Sequence, residues 1–182
     1  MNSSISWHFQ SVKSQPFARP PVAKKTIHHV DYETLLGVNR AVVALTKEKH
    51  EYSPADGKKL RGLIKEVEHR ANDQEFEDAV AEKAALLVYD IARGQYFHAG
   101  NKRTALVTGL AFLVKNGHSI NIESEEFVSA VDKAGIAAAD LEDLYTIIRG
   151  NTSKARSDRR GWDTVVKGAI EKHREFLTKL AS

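Results

Sequence analysis

Between positions 94 and 105 the chain reads Gly94-Gln95-Tyr96-Phe97-His98-Ala99-Gly100-Asn101-Lys102-Arg103-Thr104-Ala105, a stretch that combines the end of one helix, a glycine turn and two adjacent cations at the start of the next helix. A helix N-terminus exposes unpaired N–H groups and the positive end of its dipole, so it favours anions. Lys102 and Arg103 are misplaced there by a few tenths of a kcal/mol unless a phosphate sits over the amides. Gly100 permits the close backbone approach that a phosphate nest requires. His98 is the one group in this stretch that titrates near neutral pH. Residue types alone also admit a plain connection between helices, with a glycine turn and an asparagine cap.

The run from Gln95 to Ala105, within Tyr89 to Asn116, resembles the signature of the Fic/Doc family. That signature is H-x-F-x-[D/E]-[G/A]-N, followed by K-R-T-A in Doc-like members or by G-R in the AMP-transferring ones. The order of helices and loops from His28 to Gly150 is similar to Doc as well. The resemblance implies an all-α helical bundle whose motif loop lies between two central helices. It further implies ATP as the donor, with AMP or phosphate passed to a protein hydroxyl; for Doc-like members the target would be a translation factor. Position by position, Phe97 matches the core aromatic that anchors the loop, Gly100 and Asn101 the anion nest, and Lys102 and Arg103 the phosphate contacts.

Two positions depart from the pattern. Gln95 stands where the family has its general-base histidine, and Ala99 where it has the acidic residue that holds Mg²⁺ on the phosphates. Glutamine orients a hydroxyl but cannot take its proton, a loss of about 10²–10⁴-fold in rate. An alanine removes charge neutralisation by a metal as well, so the metal is left open. Neither change abolishes an anion nest. His98 has three readings: substitute base, phosphate contact, or solvated loop histidine. The family's inhibitory run, [S/T]-x-x-x-E-[G/N], is absent; Ser119 to Glu123 has the spacing but is followed by Ser124. By analogy with Doc-type pairs, restraint would come from a separate antitoxin.

The elements that must position this loop are legible in the apolar spacing. Asp31 caps a helix carrying Leu35, Leu36, Val38, Val42, Val43 and Leu45; residues 46–57, with Pro54 and Gly57, read as a loop or short hairpin. This loop and Tyr52 fall where family members carry a flap that clamps the target. A second helix is expected over 58–71, a strongly apolar one over 75–93 and another over 101–115, ended by Asn116-Gly117. Shorter helices follow at 124–134 and 139–149, then a polar basic linker and an amphipathic helix over 162–181. The organisation expected is an arm over 1–27, in which Trp7, Phe9 and Phe17 could dock on the body, a Fic/Doc-like domain over 28–150, and the basic linker and C-terminal helix over 151–182.

Composition bounds the rest. In 182 residues there are 27 Lys+Arg and 24 Asp+Glu, a net charge of +3, and no cysteine. That excludes disulfides, thiol nucleophiles and zinc-cysteine sites, and fits a cytoplasmic protein. No apolar run is long enough for a membrane span, and the first residues do not read as a secretory signal.

Three functions follow: a Doc-like toxin-module transferase impaired at base and metal ligand, an inactive nucleotide- or partner-binding relative of the same fold, and a helical ribonuclease. The last rests on Arg93 and His98, spaced R-x₄-H as in the HEPN nucleases. The basic stretch Lys154, Arg156, Arg159, Arg160 reads as a solvated linker, not a nucleic-acid site. His28, His29 and His50 have no second ligand at helical spacing and read as surface or capping residues.

Overall fold

The computed structural model describes residues 25–136 and 138–180, so the arm expected over 1–27, with Trp7, Phe9 and Phe17, lies almost wholly outside the described residues. Within them the chain is all-α, with eight helices and one two-stranded antiparallel pair: α1 Tyr32–Ala44, α2 Pro54–His69, α3 Phe76–Gly94, α4 Asn101–Lys115, β1 His118–Ser119, α5 Glu125–Gly135, α6 Leu141–Asn151, β2 Ser153–Lys154, α7 Trp162–Lys172 and α8 Arg174–Lys179.

The helices start where short polar side chains satisfy unpaired amides. Asp31 accepts from the Thr34 amide at 2.7 Å, Ser124 from Phe127, and Asp140 forms a reciprocal capping box with Asp143. Expectation and structure differ at α2, which begins at Pro54 and not at residue 58. Pro54 and Gly57 are residues that loops favour, but Ser53 caps the Asp56 amide and the proline occupies the first turn, where its missing N–H costs nothing.

α3 and α4 are the central pair. Ala84, Ala85, Leu87, Val88 and Ile91 of α3 are fully buried, as are Ala105, Val107 and Phe112 of α4. Each buried Val, Leu or Phe contributes about 1.5–3 kcal/mol through area removed from water. The helices meet closely at Gly109, where a Cβ would stand 2.4 Å from Val88 Cγ2. α2, α5 and α6 cover α3, while α1 and α7 cover α4 and enclose a second apolar cluster built on Val38, Val42, Val107, Val166 and Ile170. The C-terminal α7 is thus part of the layer that supports the motif helix.

Three further features were not legible. The segment after Asn151 is pinned down: Ser153–Lys154 pairs with His118–Ser119, and the Ala155 and Asp158 amides donate to the Gly117 and Val114 carbonyls. The single helix expected over 162–181 breaks at His173, whose ring Nδ1 lies 2.6 Å from Glu123 Oε1 across the bundle. Lys83, fully buried in α3, spends its ammonium on the Val67 and Glu68 carbonyls at 2.6 and 2.9 Å and on Asn72 Oδ1 at 3.1 Å, closing the C-terminal end of α2. Among the described residues no helix is long and apolar enough to cross a membrane.

Candidate functional site

The loop between α3 and α4 is held from both ends. α3 stops because Gln95 takes the left-handed conformation at φ 47°, and α4 starts because Gly100 does so at φ 76°. Gly100 also has no room for a side chain: a Cβ would lie 2.8 Å from Val43 Cγ1. Between these two turns Phe97 drops into the core at 3% exposure.

Asn101 clamps the loop. Its Oδ1 accepts from the Phe97 amide at 3.0 Å, while its Nδ2 donates to the Phe97 carbonyl at 2.7 Å and to Gln95 Oε1 at 3.3 Å. Gln95 in turn donates to the Ala92 carbonyl at 3.2 Å. The asparagine placed in the anion nest by resemblance therefore spends its amide on loop geometry. No side chain caps the N-terminus of α4, and its first amides border Gly100.

The two cations diverge. Lys102 crosses to α5, its Nζ 2.8 Å from Asp132 Oδ1, with both side chains exposed. Arg103 turns inward: its side chain is 4% exposed, bonded to the Val42 carbonyl at 3.1 Å, to Thr46 Oγ1 at 2.6 Å and to Glu48. Glu48 accepts from Arg103 and also from the Thr46 hydroxyl, and these two bonds hold its carboxyl below its ordinary range, Arg103 contributing most and Thr46 next. The arginine assigned to phosphate is thus committed to tying the start of the α1–α2 connection to α4.

That connection lies along the motif loop. The His98 amide donates to the Glu51 carbonyl at 2.8 Å, and the rings of His50, Tyr52 and Phe97 meet in a triangle with centroids 5.4, 5.9 and 6.1 Å apart. Segment and loop together border a cleft of about 440 Å³, whose lining includes Glu51, Tyr52, Asp56, Gln95 and His98. Two carboxylates and no Lys or Arg line it, so it suits a neutral or cationic group better than a phosphate.

His98 is exposed, and its ring has no hydrogen-bond partner among the described residues. Arg93 is spent on Tyr89, donating to its hydroxyl at 2.5 Å with the guanidinium 5.5 Å from the ring, and shares no hydrogen bond with His98 among the described residues. The methyl of Ala99 packs on the valine cluster of α1 and α4. Residues 95–100 include no Asp or Glu, and the described residues contain no group of three or more His, Asp or Glu that could hold a metal ion.

Beneath the loop lies a polar network that the sequence does not reveal. Asn39, fully buried in α1, donates from Nδ2 to the Ala99 carbonyl and to Thr104 Oγ1, both at 3.0 Å, while Thr104 donates to the Gly100 carbonyl at 2.8 Å. The Oδ1 of Asn39 meets His50 Nδ1 at 2.7 Å. The readable signal was an asparagine on the apolar face of α1, between Leu35, Val38 and Val42.

No curated protein matches this chain. The family model described as Fic/DOC family matches residues 22–113, a span that runs from ahead of α1 through the clamped loop and most of α4. With a helical bundle, a Phe-anchored loop between its two central helices and that match over more than half its length, the chain belongs to the Fic/DOC family.

Proposed function

We propose that this chain is a Doc-type member that binds ATP at the motif loop and transfers phosphate or AMP to a protein hydroxyl, at a rate lowered by the residues at 95 and 99. The observation that carries this reading is the preformed junction itself. Asn101 holds the loop against Phe97, Gly100 turns the chain, and the first amides of α4 are left without a side-chain cap. Such a junction presents N–H groups where a phosphate can accept them without reorganisation.

The division of the surroundings supports it. The uncapped helix end suits the anionic donor, while the cleft lined by Glu51, Asp56 and Tyr52 suits the segment of a target protein that carries the hydroxyl. The reading gives no residue of the loop a role as metal ligand, since Ala99 has no donor atom. A toxin role with a separate antitoxin, a translation factor as target and a cytoplasmic site of action belong to the same reading by family analogy.

The second reading is a binding protein without transfer. A specific observation favours it: neither cation after Asn101 is free, since Lys102 pairs with Asp132 and Arg103 with Glu48.

Calorimetric titration with ATP, alongside transfer of label from ATP to the proteins of a cell extract, separates the two. Transfer by the unaltered chain supports the first reading. ATP binding without transfer, with transfer gained in a Gln95→His, Ala99→Asp double variant, supports the second. Absence of ATP binding in both chains overturns the nucleotide site altogether.

A further inference from the structure

We propose that His50 is the proton acceptor that serves this site in place of the base absent at position 95, with Asn39 holding it in the required tautomer. The proposal rests on the transfer reading above and names the group that completes it.

The argument begins with Asn39. A side-chain amide can be built either way round, but here its surroundings choose. The Ala99 carbonyl can only accept, and Thr104 Oγ1 has already given its hydrogen to the Gly100 carbonyl, so both require a donor from Asn39. The edge facing them must be the NH₂ group. The edge facing His50 is then the carbonyl oxygen, which can only accept, so the 2.7 Å contact requires the proton to be on His50 Nδ1. Nε2 is left with its lone pair. It has no hydrogen-bond partner among the described residues, and His50 is only half-buried, so the lone pair is free to accept from a hydroxyl. A neutral imidazole whose far nitrogen is fixed by a buried acceptor is the arrangement a general base needs.

Position agrees with this role. The same asparagine grips the Ala99 carbonyl, and the His50 ring, which borders the cleft without lining it, lies against Phe97 and Tyr52, which line it together with Gln95. The neighbouring residue Glu51 is bonded to the loop through the His98 amide. The charged group that acts on His50 is Arg40 of α1; Tyr52 and Phe97 present rings and Asn39 an amide. Burial, with Arg40 second, lowers the imidazole below its ordinary value and keeps it unprotonated at neutral pH. His98, the substitute considered from the sequence, has no comparable partner to orient it.

The step balances with a nucleoside triphosphate as donor. The target hydroxyl gives its proton to Nε2 while its oxygen bonds to phosphorus. The bond from that phosphorus to the bridging oxygen breaks, and its electron pair leaves on the nucleoside diphosphate, or on diphosphate where AMP is transferred. The imidazolium then returns the proton to water.

The test compares the full chain with His50→Gln, His50→Ala and His98→Gln under single-turnover transfer of label from ATP to extract proteins, with ATP affinity and melting temperature measured on each. The expected result is a loss of about 10²–10³-fold in transfer for His50→Gln with ATP affinity unchanged. Added imidazole should restore part of the rate of His50→Ala, a rescue that a merely structural role would not give. Nitrogen-15 spectra of the unaltered chain should show the His50 proton on Nδ1. The proposal is overturned if the unaltered chain binds ATP but transfers nothing, if His50→Gln transfers as fast as the parent, if the loss is confined to His98→Gln, or if Nδ1 is unprotonated. A chain that binds no ATP instead overturns the transfer reading, and with it this step.

Discussion

Replacing Arg103 by methionine distinguishes a phosphate ligand from a structural pin. In the structure the guanidinium is 4% exposed and bonded to the Val42 carbonyl, Thr46 and Glu48. Methionine keeps much of the aliphatic stem but removes the guanidinium's bonds to the Val42 carbonyl, the Thr46 hydroxyl and Glu48, the first two of which keep other partners. Removing one partner of a buried pair costs about 3–5 kcal/mol when the other charge stays buried. The Glu48 side chain is 35% exposed and can be rehydrated, so the loss falls below that range, at about 2 kcal/mol for charged hydrogen bonds. Against a total stability of roughly 5–15 kcal/mol that is a large fraction. At about 2–4 °C per kcal/mol for a chain of this size, the melting temperature should fall by about 4–8 °C.

The pH dependence has a definite sign. The Glu48 carboxyl is depressed in the folded chain from 4.5, so its contribution is complete above that value and is lost as pH falls through the lower folded value. The gap between parent and Arg103→Met, measured by denaturant unfolding, should be constant near neutrality and narrow in acid. Lys102→Ala is the contrast, because its exposed pair with Asp132 contributes no more than about 1 kcal/mol. An Arg103→Met chain that melts with the parent and loses only ATP affinity would refute the reasoning and restore the arginine as a phosphate contact.

Three other outcomes follow from the same geometry. Gly100→Ala combines a left-handed φ of 76° with a 2.8 Å approach to Val43, and should lower stability by about 2 kcal/mol in denaturant unfolding. Asn101→Ala frees the buried Phe97 amide and carbonyl, so it should cost about 2–4 kcal/mol and speed hydrogen exchange at the Phe97 amide well before global unfolding. Lys83→Met removes the ammonium from three acceptors at the end of α2 and should cost about 2–4 kcal/mol by thermal melting. A neutral change there would mean that burial of the charge already cancels its bonds.

Much of the fold was legible because helix signals are local. Asp31, Ser124 and Asp140 cap within three residues of themselves, and the Leu and Val spacing of α1, α3 and α4 marks their buried faces without reference to any partner. The start of α2 is less legible because proline breaks a helix interior but suits a first turn, and only the Ser53 cap tells the two apart.

For the site, the amino-acid sequence by itself determined the chemistry that is missing: a glutamine without a titratable proton at 95 and a methyl at 99. It also determined the loop's left-handed turn at Gly100, which an L side chain would resist. Where the polar groups of the motif go was decided by tertiary structure alone. Arg103 finds Val42 and Glu48 at separations of 61 and 55 residues, and Asn39 reaches Thr104 across 65. A long or amide side chain can serve a ligand or its own fold equally well, and packing of α1 and the following segment against α4 brings the carboxylate, carbonyl and imidazole that make the choice.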